Sequence, residues 1–402
     1  MPRRVVITGL GPLSTIGVGP DAFAAGLRAG ASNSGPIRSF DASGFPHNVA
    51  NELGDVSPAD YVTNLDPDAW GPASLAAAAV ARLAVEDAGL DRAELRRGRA
   101  GSVFGTTGAE TRLHEEAYEK WLAEGTGADI GGLVKRIPAY RLAVAANREL
   151  GIHGEAVTLA TACSASNYAI GYAYDVIAAG DSDYMIAGGS EAMCAFAVAG
   201  FYRLGALAKD VCTPFDADRK GILIGEGSSA LLLESLDSAL ARGAEIYAEV
   251  LGYGLNCDAN HMVSPLATSI AECTRRAHAN AGVKQSEIDY ICAHGTGTPS
   301  NDSAEVAALR EVFGDELPPV SSIKSMLGHS MGAASGFGAI ASCLAIRDGF
   351  LPPTINLNTL DPAFEGIDVV PNVSRAADVR IVQNNGFAFG GNNAITIFGR
   401  YE

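Results

Sequence analysis

Apolar residues along this chain fall into two rhythms. Short runs at Val5–Gly9, Ser102–Gly105, Val157–Ala162, Tyr184–Gly188 and Tyr290–Ala293 are almost wholly apolar or small and read as buried strands. Longer stretches at Ala73–Ala88, Ser164–Ala179, Thr268–Ala281 and Ser335–Arg347 read as helices, with Gly89 and Gly180 placed to close the first two. Val5–Gly9 is expected to run into a Gly/Pro turn, and Ala230–Glu234 with Tyr247–Gly254 to form a hairpin or paired strands. This alternation predicts an α/β protein with mixed or parallel sheets. Val157–Gly180 and Val320–Gly349 share one plan of strand, small-residue turn and apolar helix ending in glycine, which predicts a duplicated fold. The Pro- and Asp-rich stretch Asn51–Asp68 reads as a surface excursion from one compact body.

Length and composition narrow the class. At 402 residues the chain predicts two domains, or one large fold of two similar halves. With 48% hydrophobic and 19% charged residues it excludes a disordered protein. No run approaches the roughly 18 apolar residues of a membrane span. The first strand begins at Val5, leaving no room for a signal peptide, so a soluble cytoplasmic protein without a membrane partner is expected. A net charge of −17 argues against nucleic acid as a partner and requires a local basic patch wherever an acidic partner docks. The seven cysteines form no CxxC pair, which excludes zinc-ribbon and thioredoxin chemistry, so free buried thiols and no metal are expected.

Most glycine-rich candidates fail on detail. Gly9-Leu10-Gly11-Pro12 lacks the third glycine of a dinucleotide turn and carries proline where the helix should open. No phosphate-binding GxxxxGK[ST] run exists, and Gly386–Gly391 reads as a tight turn that lets backbone approach closely. Cys163 differs from the other cysteines. It sits between small residues, after an apolar strand and before an apolar helix, so a sharp turn would expose it. The helix N-terminus should then favour thiolate and offer amides to an oxyanion. His294 and His329 lie in glycine-rich turns near apolar strands, and with Cys163 they form a constellation. His47, His114, His153, His261 and His278 lack such settings, although His261 lies in a polar loop.

With these residues in place the chain resembles the β-ketoacyl-acyl carrier protein synthases of the thiolase superfamily, most closely the elongating synthase II and type II polyketide ketosynthase group. The motifs are VVITGLG at 5–11, TACSAS around Cys163, DYMIAGGSEAM at 183–193 and TPFDADRKGILIGEG at 213–227. AHGTGTP at 293–299, IKSMLGHSMGAA at 323–334 and GFAFGGNNA at 386–394 complete the set. The resemblance implies a thiolase-like five-layered αβαβα fold of two related halves, residues 1–240 with the nucleophile and 241–402 with the two histidines and a gating loop. It implies that Cys163 carries the acyl chain as a thioester. His294 and His329 then hold the malonyl thioester and stabilise its enolate, with Lys324 supporting them. Backbone N–H groups of Cys163 and Phe389 form the oxyanion hole, and Phe389 also gates the site. Gly108, Asp258, Thr296, Thr298, Gly390 and Gly391 are the further substrate-binding positions, Asp258 opening a second mobile loop. The implied partners are an acyl carrier protein, docked by Lys135, Arg136 and Arg203, and a second chain in a homodimer or in a heterodimer with a chain-length factor. No cofactor is implied, since the phosphopantetheine arm belongs to the carrier.

Four positions depart from the elongating pattern. Gly338 replaces a glutamate that supports the lysine, Ala388 replaces a glycine of the gate, and Gly108 stands where a bulkier residue limits chain length. Asp60–Trp70, ahead of the first long helix, lacks the basic residues that meet a carrier protein. Gly108 points to a longer or bulkier chain, and the departures at Gly338, Ala388 and Asp60–Asp68 favour the catalytic ketosynthase subunit of a polyketide system. Housekeeping fatty acid elongation is the alternative reading. A non-catalytic subunit resembling a chain-length factor fits less well, because Cys163, His294, Lys324 and His329 are all present.

Overall fold

The computed structural model describes residues 2–402. Its main sheet contains β1 (Val5–Ser14), β2 (Ala100–Gly105), β3 (Ala156–Leu159), β4 (Tyr184–Glu191) and β5 (Gly227–Ser235) in the first half of the chain. The second half supplies β6 (Ala248–Cys257), β7 (Tyr290–Cys292), β8 (Val320–Ser321), β9 (Ile381–Phe387) and β10 (Asn392–Gly399). Their order across the sheet is β8-β7-β9-β10-β6-β1-β5-β4-β2-β3. Read outward from the centre, each half repeats the other. β2 is parallel to β3 and β4, while β5 is antiparallel to β4 and β1. Likewise β7 is parallel to β8 and β9, while β10 is antiparallel to β9 and β6. Within the main sheet the two halves are joined where Val6 and Ile7 pair with Glu249 and Ala248.

Helices α1 (Pro72–Asp87) and α2 (Arg141–Leu150) cover the first half-sheet, sharing an apolar core with β4 and β5 through Val80, Ala84, Leu142, Ile186 and Leu232. Helices α3 (Ala165–Ala179) and α4 (Ala334–Asp348) pack against each other between the halves. Helices α5 (Ala267–Ala281) and α6 (Pro299–Phe313) cover the second half-sheet. The result is the expected αβαβα layering with its duplication. α3 follows β3 as α4 follows β8, so the repeated strand-turn-helix plan brings both helix N-termini to the centre.

Three details differ from the pattern reading. β1 does not turn at Gly11-Pro12 but continues to Ser14, with Pro12 opposite Ser229. Gly9 and Gly11 instead let α1 approach: a Cβ at either would come within 2.0 Å of Ala84 O or 2.1 Å of Val80 O. β5 and β6 form no hairpin, because β1 lies between them and pairs with both. Asn51–Asp68 is less superficial than its composition implies. Asn51, Leu53 and Leu65 are buried, and the buried Glu149 carboxylate accepts the N–H groups of Thr63 and Asn64. All seven cysteines are free, Cys257 being exposed and the others buried. Among the described residues no helix is long and apolar enough to cross a membrane.

Candidate active site

β3 ends at Leu159, and the chain turns through Ala162 at φ +51° into a single 3-10 turn, Ala162–Ser164, that opens α3. A left-handed alanine is a strained conformation, and it re-aims the next side chain. That side chain is Cys163, 4% exposed. The backbone N–H groups of Phe389 and Cys163 favour its thiolate, as does the charge of Lys324, yet burial outweighs them and pushes the thiol up to about 12. The resting sulfur is therefore neutral. The helix terminus was expected to favour thiolate, but in a closed pocket desolvation is the larger effect.

The second half contains the same elbow. Met331 takes φ +45° and leads a 3-10 turn, Met331–Ala333, into α4. Gly332 occupies the place after the strained residue that Cys163 holds in the first half. His329 stands just before this turn, and His294 follows β7. Their rings are edge to face, centroids 5.4 Å apart. His329 Nδ1 accepts the Met331 N–H at 3.1 Å, so its proton sits on Nε2. His294 Nδ1 is buried without a protein partner. Burial first and the Lys324 charge second push both imidazoles well below the usual histidine range, and each histidine is neutral. Burial also lowers Lys324, against the charge of Glu305 and nearby thiols.

Cys163, His294, His329, Thr296, Thr298 and Phe389 line one cavity of about 40 Å³. Gly391, Phe387 and, from a neighbouring loop, His261 and Met262 complete its wall. Asp258 and Gly390 do not reach it; they latch its cover. The Gly390 N–H donates to Met262 O at 2.8 Å, and the Asp258 N–H donates to Gly391 O at 2.9 Å. The Asp258 carboxylate accepts from the Leu266 N–H and from Asn393 Nδ2. Gly390 and Gly391, at φ +88° and +82°, make the turn that allows this, whereas Ala388 needs no positive φ. Beyond the Phe201–Phe389 ring pair, centroids 5.5 Å apart, lies a second cavity of about 300 Å³. Gly108 lines it, with Cys194, Phe196 and Met331.

Several supporting residues carry no motif of their own. Asp302 and Glu305, in the first turns of α6, read as ordinary helix N-terminal acids. Asp302 accepts the N–H groups of Thr296, Gly297 and Phe215. Glu305 accepts those of His294 and Gly295, each at 2.8 Å. The buried Glu191, inside the 183–193 motif but given no role there, gathers the N–H groups of Thr107, Gly108 and Gly332. At Gly338 a Cβ would stand 2.3 Å from Asn384 Oδ1, so a glutamate would have to displace the buried Asn384 amide, and the carboxylate acting on Lys324 is Glu305. Lys135 and Arg203 are exposed and Arg136 is half-buried. Asp60–Trp70 lacks its own cation but receives one through the fold: the Arg141 guanidinium lies 4.0 Å over the Trp70 ring and donates to Ala69 O. Among the described residues no acidic, histidine or cysteine cluster could hold a metal ion.

A duplicated αβαβα fold with an elbow cysteine at its centre is the architecture of the thiolase-like condensing enzymes. The chain belongs to the β-ketoacyl synthase family, matching its N-terminal domain over residues 2–239 and its C-terminal domain over 247–358. It is 38% identical over 402 residues to nodulation protein E of Rhizobium meliloti (strain 1021), covering 99% of both chains. It is 36% identical over 416 residues to 3-oxoacyl-[acyl-carrier-protein] synthase 2 of Coxiella burnetii (strain RSA 493 / Nine Mile phase I), again covering 99% of both. Among solved structures, the ishigamide ketosynthase/chain length factor superposes with a TM-score of 0.98 at 51% identity, covering 100% of both chains. A type II PKS ketosynthase in complex with its acyl-carrier protein gives 0.91 at 29% identity, also covering 100% of both.

Proposed function

We propose that the chain is the catalytic ketosynthase of a separate-subunit polyketide system, extending an acyl chain by decarboxylative Claisen condensation. The observation that carries this reading is one cavity holding a thiol and two neutral imidazoles, with a larger cavity behind a two-ring partition. In the first half-reaction the Cys163 sulfur bonds to the acyl carbonyl, the carrier thiol leaves with the cysteine's proton, and the acyl tail passes the Phe201–Phe389 pair toward Gly108. The N–H groups of Cys163 and Phe389 hold the oxyanion. In the second, the malonyl carboxylate leaves as carbon dioxide and its electron pair moves into an enolate. His329 Nε2–H donates to that oxygen and His294 supports it. The carbanion then attacks the thioester carbonyl, a C–C bond forms, and the C–S bond to Cys163 breaks. Neutral donors suit this chemistry, since decarboxylation needs no strong base. Lys324 and Glu305 supply the fixed charges around them.

The division of labour follows the halves, 1–240 holding the nucleophile and 241–402 the donors and gate. An acyl carrier protein docks through Lys135, Arg136 and Arg203, with Arg141 on Trp70 as a further cation, and the pair work in the cytoplasm. The second chain is a copy or a chain-length factor. The open edge of β3 supports this, since it lies half-exposed at the end of the sheet whereas β8 at the other end is covered by Asp368 O on Val320 N–H. Fatty acid elongation uses the same site and remains the second reading, favoured by the relative named 3-oxoacyl-[acyl-carrier-protein] synthase 2. Intact mass after incubation with acyl carrier thioesters of graded length, with and without a cysteine-less partner chain, separates them. Acylation at Cys163 and elongation only with the partner supports the polyketide assignment; elongation by the chain alone supports the housekeeping one. Acylation at another residue overturns both.

A further inference from the structure

β9, the strand that leads to the gate, carries Gln383, Asn384 and Asn385 in a row, each at most 2% exposed. Strand alternation turns Asn384 into the central layer, where it bonds Asn167 and Ser335. Gln383 and Asn385 face the other way, under α5 and α6, and there four side chains form one line. His278 Nε2 lies 2.8 Å from Gln383 Oε1, Gln383 Nε2 donates to Asn385 Oδ1 at 2.8 Å, and Asn385 Nδ2 donates to Glu305 Oε1 at 2.9 Å. His278, on α5, was without a role in the sequence pattern. It is 7% exposed and packs edge-on against Phe313.

The polarity of this line is set from its inner end. An ionised Glu305 can only accept, so Asn385 turns its NH₂ group to it and its carbonyl to Gln383. Gln383 is then left with its own carbonyl toward His278, which must carry a proton on Nε2. Reversing either amide would set like groups against each other among buried side chains. Apolar side chains could fill the same space between helix and sheet, so the polar line calls for a role.

We propose that His278 and Gln383 are positioning residues for the condensation, locking the Asn385 amide onto Glu305 and thereby fixing the His294–Gly295 backbone and the negative charge near Lys324. Neither residue lines the cavity, and the inference rests on the condensing activity proposed above. Burial raises the Glu305 carboxyl, and the Asn385 contact is the foremost of those opposing it. Without that contact the carboxylate would neutralise more readily and its support for the Lys324 charge would weaken.

The test compares the wild-type chain with His278→Leu and His278→Gln in malonyl decarboxylation, Cys163 acylation and thermal unfolding. His278→Leu is expected to lower kcat for decarboxylation roughly 10-fold, short of the ~100-fold that an ångström of misplacement can cost. KM and the acylation rate should stay within about twofold, the signature of a lost transition-state contact. His278→Gln, whose amide can donate to Gln383, should retain the wild-type rate. If His278→Leu does not fold, His278→Leu with Gln383→Leu removes both buried partners and gives the same comparison. Equal loss in both half-reactions, or unchanged decarboxylation in a folded variant, overturns the positioning role while leaving the condensing function intact. A wild-type chain that neither acylates nor decarboxylates overturns the function, and the relay with it.

Discussion

Cys163 and His329 show how far residue chemistry departs from residue type. With its thiol pushed up to about 12, Cys163 holds little thiolate at neutral pH. Because the raised value lies above the whole working range, the thiolate fraction should climb about tenfold per pH unit between pH 7 and 10. Iodoacetamide alkylation of Cys163 is expected to follow that slope without a plateau; a plateau near pH 7 would show an activated resting thiolate. The histidines shift the other way, so they stay neutral as pH falls through 6.5, and decarboxylation should not fade there. His329→Ala removes the donor whose tautomer the backbone fixes. Malonyl decarboxylation should fall about 100-fold or more, as loss of one oxyanion donor does elsewhere, while self-acylation stays within a few-fold. Equal losses would place His329 in both half-reactions.

At the level of elements, the proposed gate is a pair of loops joined by backbone and by one carboxylate. Asp258 receives the Leu266 N–H and Asn393 Nδ2 from opposite sides, and its own N–H reaches Gly391. Asp258→Ala keeps the backbone contacts but removes the side-chain clasp, leaving a short loop with few buried contacts to hold it. Cys163 alkylation should then quicken about 3- to 10-fold, while global stability drops by about 1.5–3 kcal/mol, the worth of one hydrogen bond to a charged group. An unchanged alkylation rate would mean that the backbone bonds alone hold the cover. The two strained elbows, at Ala162 and Met331, belong to the same scale. Each brings the residue after it to the molecular centre, a thiol at Cys163 in the first and no side chain at Gly332 in the second.

Across the whole molecule, the duplicated sheet has two unlike ends. Glu155 and Leu159 direct their carbonyls to β2, so alternation turns the Thr158 N–H to the open edge of β3. A second chain that pairs there needs that donor. Thr158→Pro removes it without touching the β2 ladder, and proline is tolerated on edge strands. Dimer dissociation measured by sedimentation should rise about tenfold or more, the equivalent of one lost hydrogen bond, with helix content unchanged. A dimer of undiminished affinity would place the interface elsewhere.

The sequence by itself determined the fold class, the duplication, and the candidacy of Cys163, His294 and His329, because each depends on local order: apolar period, small residues at a turn, a glycine beside each histidine. Gly338 and Gly108 were legible as departures, but not their surroundings. Only the tertiary structure decided that β1 separates β5 from β6, since strand order depends on which faces bury together and not on proximity in the chain. It also decided the titration of Cys163, because desolvation is a property of the closed pocket. Glu305, Asn385, Gln383 and His278 come from two helices and one strand, and no spacing announces them. Polar residues such as these have meaning only when burial removes water and leaves each group a single partner.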